Sequence, residues 1–137
     1  MLIVDASAIL TSLDRRQRHH EAVVTSATDD GGPFLLSPFV LAEVDYLVLR
    51  RLGVPQELEL LRQVAEGAWT LESFDADDVR VANGIVEAYA DQRIGLADAS
   101  MVVLAQRHRT DRILTLDRRR FSVLRQSNGR PFTILPG

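Results

Sequence analysis

Four acidic residues stand far apart in the chain, each at the edge or end of an apolar segment: Asp5, Glu43, Asp98 and Asp117. A charge in such a place costs free energy unless something compensates it. Carboxylate oxygens suit hard divalent cations such as Mg²⁺ and Mn²⁺, and a bound cation would supply the compensation. The pattern therefore points to a metal site.

Two of these acids follow short aliphatic runs that predict buried parallel strands. Asp5 comes directly after residues 2–4, and Asp117 directly after residues 113–116. Both side chains would then emerge at the carboxyl ends of strands, which is where open α/β sheets bind their ligands.

Each acid also has an ordinary structural explanation, because carboxylates are common at helix starts and strand ends. Asp5 could cap a following helix, and Asp117 could begin a turn. Asp98 fits a cap less well, since it lies in the middle of the apolar stripe of its predicted helix. Glu43 and Asp45 flank the apolar arc of another helix, and periodicity alone does not choose between them.

Composition excludes several kinds of chemistry. There is no Cys, so disulfides, thiolate metal sites and a Cys nucleophile are ruled out. All 16 basic residues are Arg, which excludes a catalytic Lys and the Lys of a phosphate-binding loop. The net charge of −3 predicts no broad basic surface. To bind a polyanion such as RNA, the protein would need bound cations and local groups of Arg residues. Arg118, Arg119 and Arg120 form one such group, although they could equally be ordinary solvated surface residues.

Length and hydropathy predict one domain over residues 1–137 with a single well-packed core, since 46% of the residues are hydrophobic. No segment has the roughly 18 to 20 apolar residues that cross a bilayer, and the N-terminus does not have the pattern of a signal peptide. We therefore expect a cytoplasmic protein without membrane contact.

Strand patterns alternate with helical periodicity, which predicts an α/β fold with a parallel sheet and helices on both faces. The predicted strands span residues 2–4, 34–36, 69–71, 112–116 and 132–135. The predicted helices span residues 6–13, 19–27, 38–52, 55–67, 75–91 and 98–107, and an Arg-rich turn follows Asp117.

Four short motifs around the acids resemble those of PIN-domain ribonucleases, and especially those of VapC toxins from bacterial type II VapBC toxin-antitoxin systems. They occur in the family's order and span nearly the whole chain: Val4-Asp5-Ala6-Ser7-Ala8, Ser37-Pro38 with Leu41-Ala42-Glu43-Val44, Gly95-Leu96-Ala97-Asp98-Ala99-Ser100, and Leu114-Thr115-Leu116-Asp117 with Phe121.

The resemblance implies a PIN-like three-layer fold with a five-stranded parallel sheet in the order 3-2-1-4-5, which sets Asp5 beside Asp117. It also favours Glu43 over Asp45. On this hypothesis Asp5 and Asp98 bind the metal most directly, while Glu43 and Asp117 complete the catalytic site through direct or water-mediated contacts. Ser7 resembles the family's hydroxyl two residues after the first aspartate, although it could instead cap a helix.

The activity implied is that of a hydrolase, an Mg²⁺- or Mn²⁺-dependent endoribonuclease that cuts structured RNA such as tRNA or rRNA and so inhibits translation. The implied partners are a VapB-type antitoxin lying over the acidic site and a second copy of the chain, in a homodimer and in a heterotetramer or larger complex with antitoxin. Two alternatives stay open: a PIN-fold nuclease outside a toxin-antitoxin system, and a non-catalytic module that binds RNA or protein. A phospho-receiver domain is disfavoured because it would need a Lys.

Overall fold

The computed structural model describes residues 1–137, and its elements alternate as the sequence predicts. The strands are β1 (Leu2–Val4), β2 (Phe34–Leu36), β3 (Thr70–Leu71), β4 (Arg112–Leu114) and β5 (Thr133–Leu135). The helices are α1 (Ala6–Ser12), α2 (His20–Asp30), α3 (Pro38–Arg51), α4 (Val54–Ala65), α5 (Ala76–Ala88), α6 (Leu96–His108) and α7 (Arg118–Val123), with a 3₁₀ turn at Ala90–Gln92.

The sheet is entirely parallel and has the order β3-β2-β1-β4-β5, which confirms the predicted fold class. The central strand β1 pairs with β2 on one side and with β4 on the other. Val4 pairs with Leu114, and the Asp5 amide donates to the Leu114 carbonyl at 3.0 Å. This register brings the residues that follow β1 and β4 to the same edge of the sheet.

The sheet is buried at its centre and exposed at its edge: β1 is apolar and buried along its whole length, whereas both residues of β3 are exposed. The helix α6 contributes an unbroken buried run from Asp98 to Ala105. The helix α3 packs against α1, α4 and α6, while α2 packs against α1 and β4. None of the helices combines the length and the hydropathy needed to cross a membrane.

Local signals fix the helix that follows β2. The Ser37 side chain accepts a hydrogen bond from the Phe39 amide at 3.1 Å, and Pro38 occupies the first helical position, where its missing N–H costs nothing. In α2, by contrast, the helix continues past its predicted end at residue 27 as far as Asp30. It ends at Gly31, which adopts a left-handed φ of 79°.

Three predicted boundaries near the acids are wrong. The strand predicted over residues 112–116 ends at Leu114, so Asp117 does not follow it directly. The helix predicted to begin at Asp98 begins at Leu96, so Asp98 lies inside its first turn. The Arg-rich segment predicted as a turn is the helix α7, because the Asp117 side chain caps it by accepting from the Arg120 amide at 3.1 Å.

Candidate active site

Asp5 occupies the N-cap position of α1, yet its side chain makes no capping hydrogen bond. The residue is only 6% exposed. Its Oδ2 atom accepts hydrogen bonds from Ser7 Oγ at 3.1 Å and from Thr115 Oγ1 at 2.7 Å. Its Oδ1 atom accepts none within the chain. The carboxylate is therefore held by one oxygen and has the other free for a ligand.

The two hydroxyls that hold Asp5 are themselves fixed by the backbone that follows β4. Ser7 Oγ accepts from the Leu116 amide at 3.0 Å, and Thr115 Oγ1 accepts from the Asp117 amide at 2.9 Å. Ser7 thus braces the site, and α1 begins without its help as a cap. Thr115 was missed by the sequence analysis, although it lies directly across from Asp5 in the predicted β1–β4 pairing.

Asp98 projects from the first turn of α6 and is 4% exposed. Burial raises the pKa of its carboxyl, the Arg120 guanidinium lowers that pKa, and the negative charges of Asp5 and Asp117 raise it further, with a net increase. Its helix is fixed to the start of α3 by a buried hydrogen bond of 2.6 Å between Ser37 and Ser100. The ionised form of Asp98 is therefore held where it is unfavourable without more positive charge.

Glu43 lies on the exposed rim of the same site, and its carboxylate makes no hydrogen bond within the chain. Its pKa is raised, first by partial loss of solvent and then by repulsion from Asp5 and Asp98. The charges of Asp5 and Asp98 therefore act on the Glu43 carboxyl, which makes Glu43 a candidate member of the site.

Asp45, the alternative to Glu43, faces α4 and takes no part in the site. The pKa of Glu57 is raised because its protonated carboxyl can donate to Asp45, and because of desolvation and the charge of Asp45. The Oδ1 atom of Asp45 is buried without a hydrogen-bond partner.

Arg120 supplies the positive charge inside the acidic site. Its guanidinium lies 3.2 Å from Asp98 and 3.3 Å from Asp117. Its pKa is raised, because the attraction of Asp98, Asp117 and Asp5 outweighs the desolvation that opposes it. Arg118 and Arg119 behave differently: Arg118 donates to the Pro136 carbonyl, and the Arg119 side chain makes no hydrogen bond or ion pair within the chain.

The acids offer the donor atoms of a divalent-cation site without yet forming one. As the side chains stand, no three His, Asp or Glu groups form a cluster able to hold an ion, and Arg120 contacts two of the four acids instead. The donor chemistry nevertheless fits a hard cation, because Asp5 has a free oxygen and Glu43 has two. The pKa values of Glu43 and Asp98 are raised first by loss of solvent and then by repulsion from other acids, and a bound cation would offset both.

Comparisons with known proteins identify the family of the chain. The sequence matches the PIN domain family over residues 2–126. It is 48% identical over 135 residues to Ribonuclease VapC26 of Mycobacterium tuberculosis, covering 98% of this chain and all of that protein.

Solved structures share the fold. The crystal structure of the sarcin-ricin loop cleaving toxin VapC20 of Mycobacterium tuberculosis matches with a TM-score of 0.71 and 18% identity, over 85% of this chain and 90% of that one. VapBC2 from Rickettsia felis, bound to a DNA fragment from its promoter, matches with a TM-score of 0.68 and 13% identity, over 97% of each chain. The chain is identical to a VapC ribonuclease at nearly half of its positions along almost its whole length. It therefore belongs to the PIN-domain family, among the VapC ribonucleases.

Proposed function

We propose that the protein is a Mg²⁺- or Mn²⁺-dependent endoribonuclease toxin that hydrolyses phosphodiester bonds in structured RNA and thereby inhibits translation. The observation that supports the proposal is that acids from four separate segments interact near one edge of the sheet. Asp5 keeps one oxygen without a hydrogen-bond partner, Arg120 joins Asp98 to Asp117, and the charges of Asp5 and Asp98 contribute to the raised pKa of Glu43. The 48% identity to a protein named as a ribonuclease supports the same reaction.

The different surroundings of the four acids suit them to different roles in the proposed reaction. Asp5 and Asp98, which are buried and held, would bind the metal directly, and Asp117 would complete the set. Bound there, the ion supplies charge neutralisation and a water of lowered pKa. Glu43, which is exposed and has a raised pKa, is suited to orient the attacking water and accept its proton. Ser7 and Thr115 keep Asp5 in place throughout.

Arginines at the edge of the site would bind the RNA. Arg120 is 46% exposed, so its guanidinium can leave the acids and pair with a phosphate once a metal ion neutralises them. Arg118 and Arg119 are exposed on the same short helix. The solved relative VapC20 is described as cleaving the sarcin-ricin loop, and we propose tRNA or rRNA as the substrate class here.

A VapB-type antitoxin is the proposed partner, since a structural relative is a VapBC complex. The structure offers an apolar cavity of about 400 Å³ between α1, α2 and the sheet, lined in part by Ile9, Val23, Val24 and Trp69. Val24 is 40% exposed at this cavity, and Leu49 is 38% exposed on α3. Apolar antitoxin side chains would fit there. A homodimer, and a heterotetramer or larger complex with antitoxin, complete the proposal, with the cytoplasm as the site of action.

The test is cleavage of total RNA by the purified protein with Mg²⁺, with Mn²⁺ and with EDTA, followed by mapping of new 5′ ends. We expect metal-dependent cuts that disappear in Asp98→Asn and persist in the charge-matched surface variant Asp29→Asn. Binding of RNA without any cleavage would favour the non-catalytic module. Cleavage that antitoxin does not inhibit would favour a nuclease outside a toxin-antitoxin system.

A further inference from the structure

A recess of about 320 Å³ opens beside the acidic site, between the 3₁₀ turn and α7. Asp117 and Arg120 line it, and both also belong to the acidic site. Anything bound in the recess would therefore lie next to a phosphate held at the carboxylates. The volume is at the lower end of the range of small-ligand pockets, which suits one small planar group.

The recess is lined by apolar and polar side chains in similar measure. Its apolar surface comes from Val123, which is 40% exposed, and from Ile94, which is 9% exposed, because Leu124 is fully buried. Gln92 and Arg119 also line it, and neither side chain makes a hydrogen bond within the chain. An apolar surface with unpaired amide and guanidinium groups is suited to a ligand with flat apolar faces and polar edges.

We propose that this recess binds one unpaired base of the RNA, adjacent to the phosphate that is cut. Single-stranded bases are recognised by stacking on guanidinium planes or apolar groups and by hydrogen bonds to their edges. Arg119 would stack on the base, and the Gln92 amide, which has both a donor and an acceptor, would read its edge. Arg119 and Arg120 could also pair with a phosphate, but Asp117 in the lining repels one, and Ile94 and Val123 give a base an apolar surface that a phosphate does not use.

This inference rests on the proposed ribonuclease activity and adds a source of sequence preference to it. Gln92→Leu keeps the size of the side chain and removes its hydrogen bonds. Both Gln92 and Arg119 are exposed, so replacing either leaves the core intact. Gln106→Leu and Arg130→Ala are matched controls on exposed residues that do not line the recess.

The first experiment measures cleavage of short RNAs randomised around the cut. Wild type should prefer one or two bases at a position flanking the cut, and Gln92→Leu should reduce that preference about fivefold while cleavage stays metal-dependent. Arg119→Ala should raise KM about tenfold for all sequences, as expected for a stacking contact. The controls should match wild type. An unchanged base preference in Gln92→Leu would overturn the proposal.

A second experiment does not depend on cleavage. The four nucleoside 5′-monophosphates are titrated into wild type, and amide chemical shifts are followed by NMR. Shifts at residues 92–94 and 119–124 that weaken in Gln92→Leu would support the recess even if the protein proved not to cut RNA. Shifts confined to other residues, or no shifts at millimolar nucleotide, would count against it, whether or not metal-dependent cleavage is found.

Discussion

Replacing Asp98 with Asn should leave the metal-free protein folded and at least as stable as wild type, while abolishing metal binding and cleavage. The reason is that the pKa of Asp98 is raised, so its ionised form opposes folding above that pKa. The ionised carboxylate lowers the free energy of unfolding at neutral pH, and this destabilisation disappears as the pH falls through the raised pKa of the folded state. Asn has nearly the same shape and carries no charge, so it removes the destabilisation at every pH.

The net increase in the pKa of Asp98 sets the size of this effect. Each unit by which a carboxyl pKa is raised corresponds to about 1.4 kcal/mol of stability recovered by neutralisation. The favourable charge of Arg120, whose side chain is 46% exposed, is already part of that net increase, so its loss is not subtracted again. The Asn carbonyl still accepts from Arg120. The net change in the free energy of unfolding in EDTA should therefore lie between zero and a small stabilisation.

Bound Mg²⁺ should make the wild type more stable than Asp98→Asn, the reverse of the order expected in EDTA. Mg²⁺ at about a hundred times its Kd stabilises a protein that binds it only when folded by about 2.7 kcal/mol, or roughly 10 °C in Tm for a chain of this size. Wild type should show this increase and Asp98→Asn should not. Thermal melts in EDTA and in Mg²⁺ at constant ionic strength measure both effects. A variant that unfolds several kcal/mol more easily in EDTA, or that keeps the full metal response, would refute the reasoning.

Three other predictions follow from neighbouring contacts. Thr115→Val should lower kcat about tenfold and the free energy of unfolding by about 1 to 2 kcal/mol, because the buried hydroxyl donates to Asp5 at 2.7 Å; activity and urea melts equal to wild type would contradict this. Apparent Mg²⁺ affinity, measured by calorimetry, should weaken as the pH is lowered below neutral, and should do so sooner than for an ordinary carboxylate, because the raised pKa of Glu43 lets protons compete with metal; an affinity independent of pH would argue against it. Glu57→Gln should raise Tm in scanning calorimetry, because it removes repulsion and gives the buried Asp45 Oδ1 a donor; a lower Tm would show that the carboxyl pair is stabilising.

Much of the candidate site followed from local patterns in the sequence. Asp5 and Asp117 were placed at strand ends because aliphatic runs of three or four residues precede them, and the structure puts them at one sheet edge. Asp98 was singled out because a carboxylate inside an apolar stripe needs compensation, and it is buried. These conclusions required only periodicity and the free-energy cost of burying charge.

Other features depend on contacts between distant segments, which periodicity does not encode. Whether Glu43 or Asp45 joined the site was decided by the packing of α3 against its neighbours, since both flank the same apolar arc. Arg120 appeared only as one of three adjacent arginines, and its role arises because α7 turns it toward Asp98 and Asp117.

The chain by itself determined its parallel α/β class, the positions of its acids and the hard-cation chemistry those acids favour, because these follow from residue types and their spacing. Only the tertiary structure decided that Thr115 and Ser7 hold one oxygen of Asp5 and leave the other free. It alone also revealed the recess beside Asp117. The physical reason is that a hydrogen bond between residues more than 100 positions apart depends on strand register to within an ångström, whereas a strand or helix can be predicted from a few neighbouring residues.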